Sequence, residues 1–356
     1  MQINKRIAKL RQILDEKTVD AILISQPENR YYLSGFRGSA GYLFITQKKM
    51  VLATDFRYVE QVKRQAPDFT LFQISGSMNN WFPEIVNGLR IKKLGFESAD
   101  ISFERYQNIS GTIEKTGIQV QLVPLTETVE TIRAVKDEEE IACIERAAEI
   151  SDKGFKYISQ IIKAGMTELE LAWELEKCMR EAGSESMPFE IIVGSGPNAA
   201  LPHAHPSGRV IKEGEPIVID FGASIEGYCS DITRTICVGT PDDTFKKIYR
   251  IVLDAQMNAI SRIVDGTTGA EADRFARSII EDAGYGETFG HSLGHSLGLA
   301  AHEKPTLNRI SEEILTENMV FTIEPGIYLP GWGGIRIEDT VMIKNGKISV
   351  ISQSIK

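Results

Sequence analysis

Two stretches of this chain read as strand-turn-strand units with a carboxylate at matched distances on either arm, and that pattern limits the available folds more than any other. In 215-EPIVIDFGASIEGYCSDITRT-235 a turn centred between Ile225 and Glu226 leaves Asp220 and Asp231 equidistant from it. A regular hairpin makes them cross-strand neighbours with Cβ atoms ~5 Å apart, where repulsion at an effective dielectric of ~20 is ~3 kcal/mol. In 319-MVFTIEPGIYLPGWGGIRIEDTVMI-343 a glycine-rich turn centred on Gly331 leaves Glu324 and Glu338 seven positions away on either side. One such pair can share a proton or sit on an irregular loop. Two mirrored pairs point to divalent cations that offset the repulsion.

The histidines support that reading. All five, His203, His205, His291, His295 and His302, lie in the second half. The segment 290-GHSLGHSLGLAAHEKP-305 holds three of them within twelve residues, among glycines that let backbone approach a ligand. Four carboxylates and His295 suit two hard or borderline ions such as Mn²⁺, Co²⁺ or Zn²⁺. Four negative charges match two dications, so the cluster can be buried without a large Born penalty.

With 356 residues the chain is long for one core, and at roughly 150 residues per domain it predicts two. A net charge of -9 argues against nucleic acid or other polyanions as partners. No apolar run approaches the ~18 residues that cross a bilayer, and the opening MQINKRIAKLRQILDEK lacks a signal-peptide core. Cys143, Cys178, Cys229 and Cys237 are widely spaced, excluding a zinc finger and predicting reduced thiols in a cytoplasmic protein.

Helical spacing of Ile3, Ile7, Leu10, Ile13 and Leu14 leads into a strand-like run from Ala21 to Ile24. Further strand-like runs follow at 42–46, 50–54 and 119–123, alternating with helical patterns, and predict a first α/β domain over residues 1–126. A linker is expected between Pro124 and Thr131. Residues 132–356 form the second domain, opening with a long helix through Ile141, Ile144, Ala147, Ala148 and Phe155. Another helix begins at 167-TELE-170, where Thr167 and Glu170 can form a capping box. Helices are also expected around 242–264 and 269–283, and the fold class is α+β.

The chain resembles the pita-bread metallopeptidases, the family of methionine aminopeptidase, prolidase and aminopeptidase P. The resemblance rests on 219-IDFG-222, 230-SDITRT-235, 294-GHSLG-298, 323-IEPG-326 and 337-IEDT-340, in that order. It implies a creatinase-type amino-terminal domain and a pita-bread catalytic domain. It also implies that Asp220, Asp231, His295, Glu324 and Glu338 bind two divalent metal ions, with manganese expected and cobalt or zinc as alternatives. His291, Arg336 and Tyr328 resemble the proline-specific branch. His203 and His302 match that family's substrate-side histidines, and Ser296 stands where the family usually has glycine.

The resemblance implies hydrolysis of the bond before a proline in second position. His302, assisted by His203, would stabilise the oxyanion, Glu324 would carry a proton, Arg336 and Tyr328 would order the ligands, and His291 would contact substrate beyond the cut. Because 54-TDFRYVEQ-61 resembles the aminopeptidase P side, an Xaa-Pro aminopeptidase is expected first and an Xaa-Pro dipeptidase second. Arg336 and His291 could serve the carboxylate that a dipeptidase must recognise. Methionine aminopeptidase, a creatinase-like enzyme and an inactive pita-bread interaction module stand further off. A homodimer is the family expectation.

Overall fold

A computed structural model describes residues 2–356. The chain divides into two compact units between Arg133 and Ala134. The first contains α1 (Ile3–Glu16), β1 (Ala21–Ile24), α2 (Pro27–Ser34), β2 (Tyr42–Thr46), β3 (Met50–Thr54) and α3 (Val59–Gln65). It continues with β4 (Thr70–Gln73), α4 (Met78–Leu89), β5 (Lys93–Glu97), α5 (Phe103–Thr116) and β6 (Gln121–Leu125), and α6 (Glu130–Ala134) spans the junction. Helix α1 buries Ile7, Leu10 and Leu14, the stripe expected from its spacing.

Its sheet has the order β4-β3-β2-β1-β5-β6, antiparallel from β1 to β3 and parallel elsewhere. Leu23, Phe44, Leu94 and Phe96 share a core with Trp81 and Phe82 of α4. The strand expected at 119–123 lies two residues later. Pro124, expected to open a linker, pairs with Phe96 inside β6. An edge strand tolerates a residue without an N–H, so Pro124 does not end the sheet.

The second unit begins with α7 (Glu138–Ile161), α8 (Glu168–Glu181), β7 (Ile192–Ser195), β8 (Pro216–Phe221), β9 (Ser224–Ile225), β10 (Tyr228–Cys229) and β11 (Ile232–Cys237). After α9 (Asp243–Arg262) and α10 (Gly269–Asp282) come β12 (Gly294–Ser296), β13 (Glu303–Leu307), β14 (Val320–Ile323), β15 (Gly326–Leu329), β16 (Gly333–Arg336), β17 (Asp339–Lys344) and β18 (Lys347–Val350). Capping boxes at Asp137/Glu140 and Thr167/Glu170 satisfy the first amides of α7 and α8. Those helices cover the sheet β11-β8-β7 through Phe155, Leu171, Leu175, Ile219 and Phe221. Helices α9 and α10 cover the sheet β13-β12-β14-β17-β18 through Ile248, Val252, Ala276, Phe321 and Val341. The two sheets meet where the Glu338 amide donates to Thr233 O at 3.1 Å.

The later hairpin has the predicted register. Pairs Val320↔Met342 and Gly326↔Arg336 are both centred on Gly331, which leaves Glu324 directly across from Glu338. The earlier hairpin turns one residue later than expected, at Glu226 and Gly227, with φ 52° and 80°. A two-residue turn of this kind needs positive φ at both central positions, and only that dipeptide places a glycine there. Asp220 therefore pairs with Thr233. Asp231 is its diagonal neighbour on the same face, not its direct partner. Opposite Asp231 stands Gly222, where a Cβ would lie 2.1 Å from Ser230 O, so only glycine lets the arms approach this closely.

In the first unit, the Glu97 carboxylate at the end of β5 accepts the amides of Ser25 and Gln26 at 2.6 and 2.8 Å and Asn29 Nδ2 at 2.6 Å. Burial outweighs these bonds and pushes its pKa up to about 7. The folded state thus holds a proton that the unfolded chain releases near the ordinary carboxylate range. The associated stability is full below about pH 4.5 and is lost as pH rises through 7, amounting to about 3 kcal/mol. Hydrogen exchange of the β1 and β5 amides should weaken in protection between pH 5 and 8 once intrinsic rates are corrected. Glu97→Gln should flatten that slope, and an unchanged slope would assign it to another group.

Candidate metal centre

The breaks between paired strands bring the predicted acids together. Asp220 is the penultimate residue of β8, Asp231 precedes β11, and Glu324 and Glu338 occupy the facing gaps between β14 and β15 and between β16 and β17. Carboxylate oxygens of Asp220, Asp231 and Glu338 lie within 4.8 Å of one another. His295, on β12, brings Nε2 to 3.3 Å from Glu324 Oε1 and 3.7 Å from Asp231 Oδ2. All five line one cavity of about 360 Å³.

The protonation pattern shows what this cluster lacks. His295 Nδ1 lies 3.1 Å from Ser296 O, and a carbonyl only accepts, so Nδ1 carries the proton. Burial pushes the imidazole pKa down and keeps it neutral. Its Nε2 lone pair therefore faces carboxylate oxygens, an arrangement a cation relieves. Asp220 Oδ1 is buried without a hydrogen-bond partner, while its Oδ2 accepts Arg336 Nη2 at 2.7 Å. Burial and then the Glu338 charge push Asp231 far above the usual carboxylate range. Burial and then Glu324 do the same to Glu338, and burial takes Glu324 to about 8. The donors, their burial and the unfilled oxygen fit hard divalent ions.

Threonines orient the acids. Thr233 Oγ1 donates to Glu338 Oε2 at 2.6 Å and accepts Arg336 Nε at 3.0 Å. Thr322 Oγ1 donates to Glu324 Oε1 at 3.1 Å and accepts the His295 amide. The sequence reading missed both. Period two could have found Thr322, which stands two residues from the Glu324 it supports; Thr233 supports Glu338 from 105 positions away, which no local spacing signals.

Arg336 is buried and committed, with Nη1 also on Pro202 O at 3.2 Å and on the Tyr328 hydroxyl at 2.8 Å. That hydroxyl is 2.9 Å from His291 Nε2, whose Nδ1 faces Ser292 O at 2.8 Å. With Nδ1 as donor to the carbonyl, Tyr328 donates to Nε2, giving a chain from Arg336 through Tyr328 to His291. Burial, then the Arg336 charge, push His291 down to about 3, so it is neutral. Burial raises Tyr328 to about 12. Tyr328 stands behind the cavity wall that Arg336 and His291 help to line.

His302 is exposed and also lines the cavity, its ring centroid 4.2 Å from that of His295. His203 lies exposed at the rim, and nearby His205 pairs with Glu190 at 2.8 Å. Ser296 does not disrupt β12. Its hydroxyl turns inward to Val320 O at 2.7 Å, although the pairing with β13 shifts register there.

Residues 142–345 match the model for metallopeptidase family M24, and residues 6–135 match the creatinase/prolidase N-terminal domain. The chain is 40% identical to the Xaa-Pro dipeptidase of Pyrococcus horikoshii, over 97% of this chain and 96% of that protein. A solved Xaa-Pro dipeptidase from Bacillus anthracis superposes with TM-score 0.96 at 42% identity, over 100% of this chain and 99% of that one. An X-Pro aminopeptidase from Thermotoga maritima follows at TM-score 0.86 and 41% identity, over 94% and 96%. With both family domains matched in order and the mixed helix-strand fold they require, the chain belongs to metallopeptidase family M24 and is a hydrolase with a creatinase-type amino-terminal domain and a pita-bread catalytic domain.

Proposed function

We propose that the protein is an Xaa-Pro dipeptidase that works with two divalent ions, manganese first among those to test. The observation that carries the hydrolytic reading is the buried convergence of Asp220, Asp231 and Glu338, with His295 Nε2 and Glu324 beside it. These five side chains would hold the metal. What it supplies when bound is Lewis-acid polarisation and acidified water.

The chain's own groups supply the rest. His302 lines the cavity, where partial desolvation and then the neighbouring His295 lower its pKa, and it can donate an N–H to a developing oxyanion. His203 at the rim assists, and Glu324 carries the proton toward the leaving nitrogen. Arg336 fixes Asp220, and the Tyr328–His291 arm shapes the wall that we assign to the substrate beyond the cut. A proline nitrogen has no hydrogen and its ring fixes the chain, so a dedicated cavity suits such a bond.

The substrate-length reading changes from the sequence expectation. Arg57, in the segment that favoured an aminopeptidase, bonds Asp55 within its own turn at 2.8 Å. Arg336, which could have served a substrate carboxylate, is spent on Asp220, Tyr328 and Thr233. Neither arginine decides length. The dipeptidase reading is instead supported by relatives of that name from Pyrococcus and Bacillus, matched over nearly their whole length. A homodimer and a cytoplasmic location belong to the same reading; among the described residues no helix is long and apolar enough to cross a membrane.

Three outcomes test it. Asp231→Ala should bind at least one Mn²⁺ fewer per chain by elemental analysis and lose hydrolysis; full metal content with retained turnover would rule out the dinuclear assignment. His302→Ala should keep its metal while kcat falls roughly 10²-fold, as for loss of an oxyanion donor, whereas loss of metal would make His302 a ligand. An Xaa-Pro dipeptide should be cleaved with higher kcat/KM than the matching Xaa-Pro-Xaa tripeptide, and an Xaa-Ala dipeptide hardly at all. Preference for the tripeptide would reverse the assignment to Xaa-Pro aminopeptidase.

A further inference from the structure

The segment that carries His295 and His302 is held from behind by one buried ammonium group. The Lys136 side chain is 1% exposed, and its Nζ lies 3.0 Å from Ser296 Oγ, 3.3 Å from Ala134 O and 3.4 Å from Glu303 Oε2. Ser296 directly follows His295, and Glu303 directly follows His302. The two face each other across β12 and β13, where the pairing shifts register between His295 and Ser296. Lys136 therefore spans the two ends of the loop between the imidazoles at the point where the strand ladder is irregular.

The partners of Lys136 are themselves fixed. Ser296 Oγ donates to Val320 O, tying β12 to β14, and Glu303 Oε1 accepts the Ala300 amide at 3.0 Å. The Glu303 carboxylate packs so closely over Gly298 that a Cβ there would lie 2.8 Å from it. Removing the ammonium takes a cationic contact away from the largely buried Glu303 carboxylate, a cost eased by letting the loop open and the carboxylate move toward water. His302, adjacent to Glu303, moves with it.

We propose that Lys136 is a positioning residue that sets the location of His302 in the cavity, acting through Glu303 and Ser296. This rests on the peptidase reading above insofar as His302 serves the reaction. The geometric part stands apart from activity.

Lys136→Met in the metal-loaded full chain should keep its metal content and its KM for an Xaa-Pro dipeptide, while kcat falls roughly tenfold from misplacement of His302. In a His302→Ala background the same change should move kcat by no more than about twofold, since the group it positions is gone. Equal losses in both backgrounds would overturn the positioning role. With only five histidines in the chain, imidazole NMR signals can be assigned by single substitutions. The His302 signal should shift in Lys136→Met while that of rim His205 stays, and an unmoved His302 signal would overturn the clamp whatever the enzyme cleaves. If Lys136→Met fails to fold, Ser296→Ala severs one arm alone; it should shift His302 and lower kcat about threefold, and unchanged values for both would refute the proposal. A wild type that cleaves no Xaa-Pro peptide would defeat the function proposed above and leave the NMR test of the clamp intact.

Discussion

Carboxylates cannot be gathered in a protein interior without a counter-charge, and the catalytic unit is arranged around that constraint. Arg336 answers one oxygen of Asp220 and leaves the other unpartnered. Thr233 and Thr322 supply single donors to Glu338 and Glu324. These neutral donors aim the acids without cancelling their charge. The His295 lone pair is aimed into the same space by its bond to Ser296 O. Polar atoms at the back of the centre are bonded, and the unfilled capacity points toward its middle.

How much of this was legible depended on whether local chemistry determined the geometry. Glu324 and Glu338 were correctly seen as opposed because Gly331 lies at the centre of a long symmetric turn and the pairing on both sides has no insertion. The Asp220 and Asp231 pair was displaced because the turn type, rather than the midpoint of the apolar pattern, determines register. Period two still put both on one face, so the error in pairing left the site recognisable. Pro124 misled in the opposite direction. It usually interrupts regular structure, but at a sheet edge it interrupts nothing.

The roles of Arg336 and Tyr328 could not be read from spacing. A guanidinium two residues before an acid can face substrate or protein, and the choice here depends on Thr233, Pro202 and Asp220, all about a hundred positions or more away. The same holds for the neutral state of His291, which follows from burial and an adjacent fixed cation. Side-chain type and periodicity identify which groups can assemble; the three-dimensional packing decides which of their atoms remain available.

The junction between Thr233 and Glu338, groups separated by 105 positions, has a consequence for how the protein becomes competent. Neither sheet alone contains the full donor set, because Asp220 and Asp231 come from one and His295, Glu324 and Glu338 from the other side. Closing a loop over such a distance carries a larger entropic cost than the nearer contacts within a sheet. A cation that recognises only the completed set binds the native ensemble and not its partly folded precursors, so its free concentration acts on the population of the whole unit. Ion supply would then govern how long the assembled chain survives proteolysis as well as how fast it turns over.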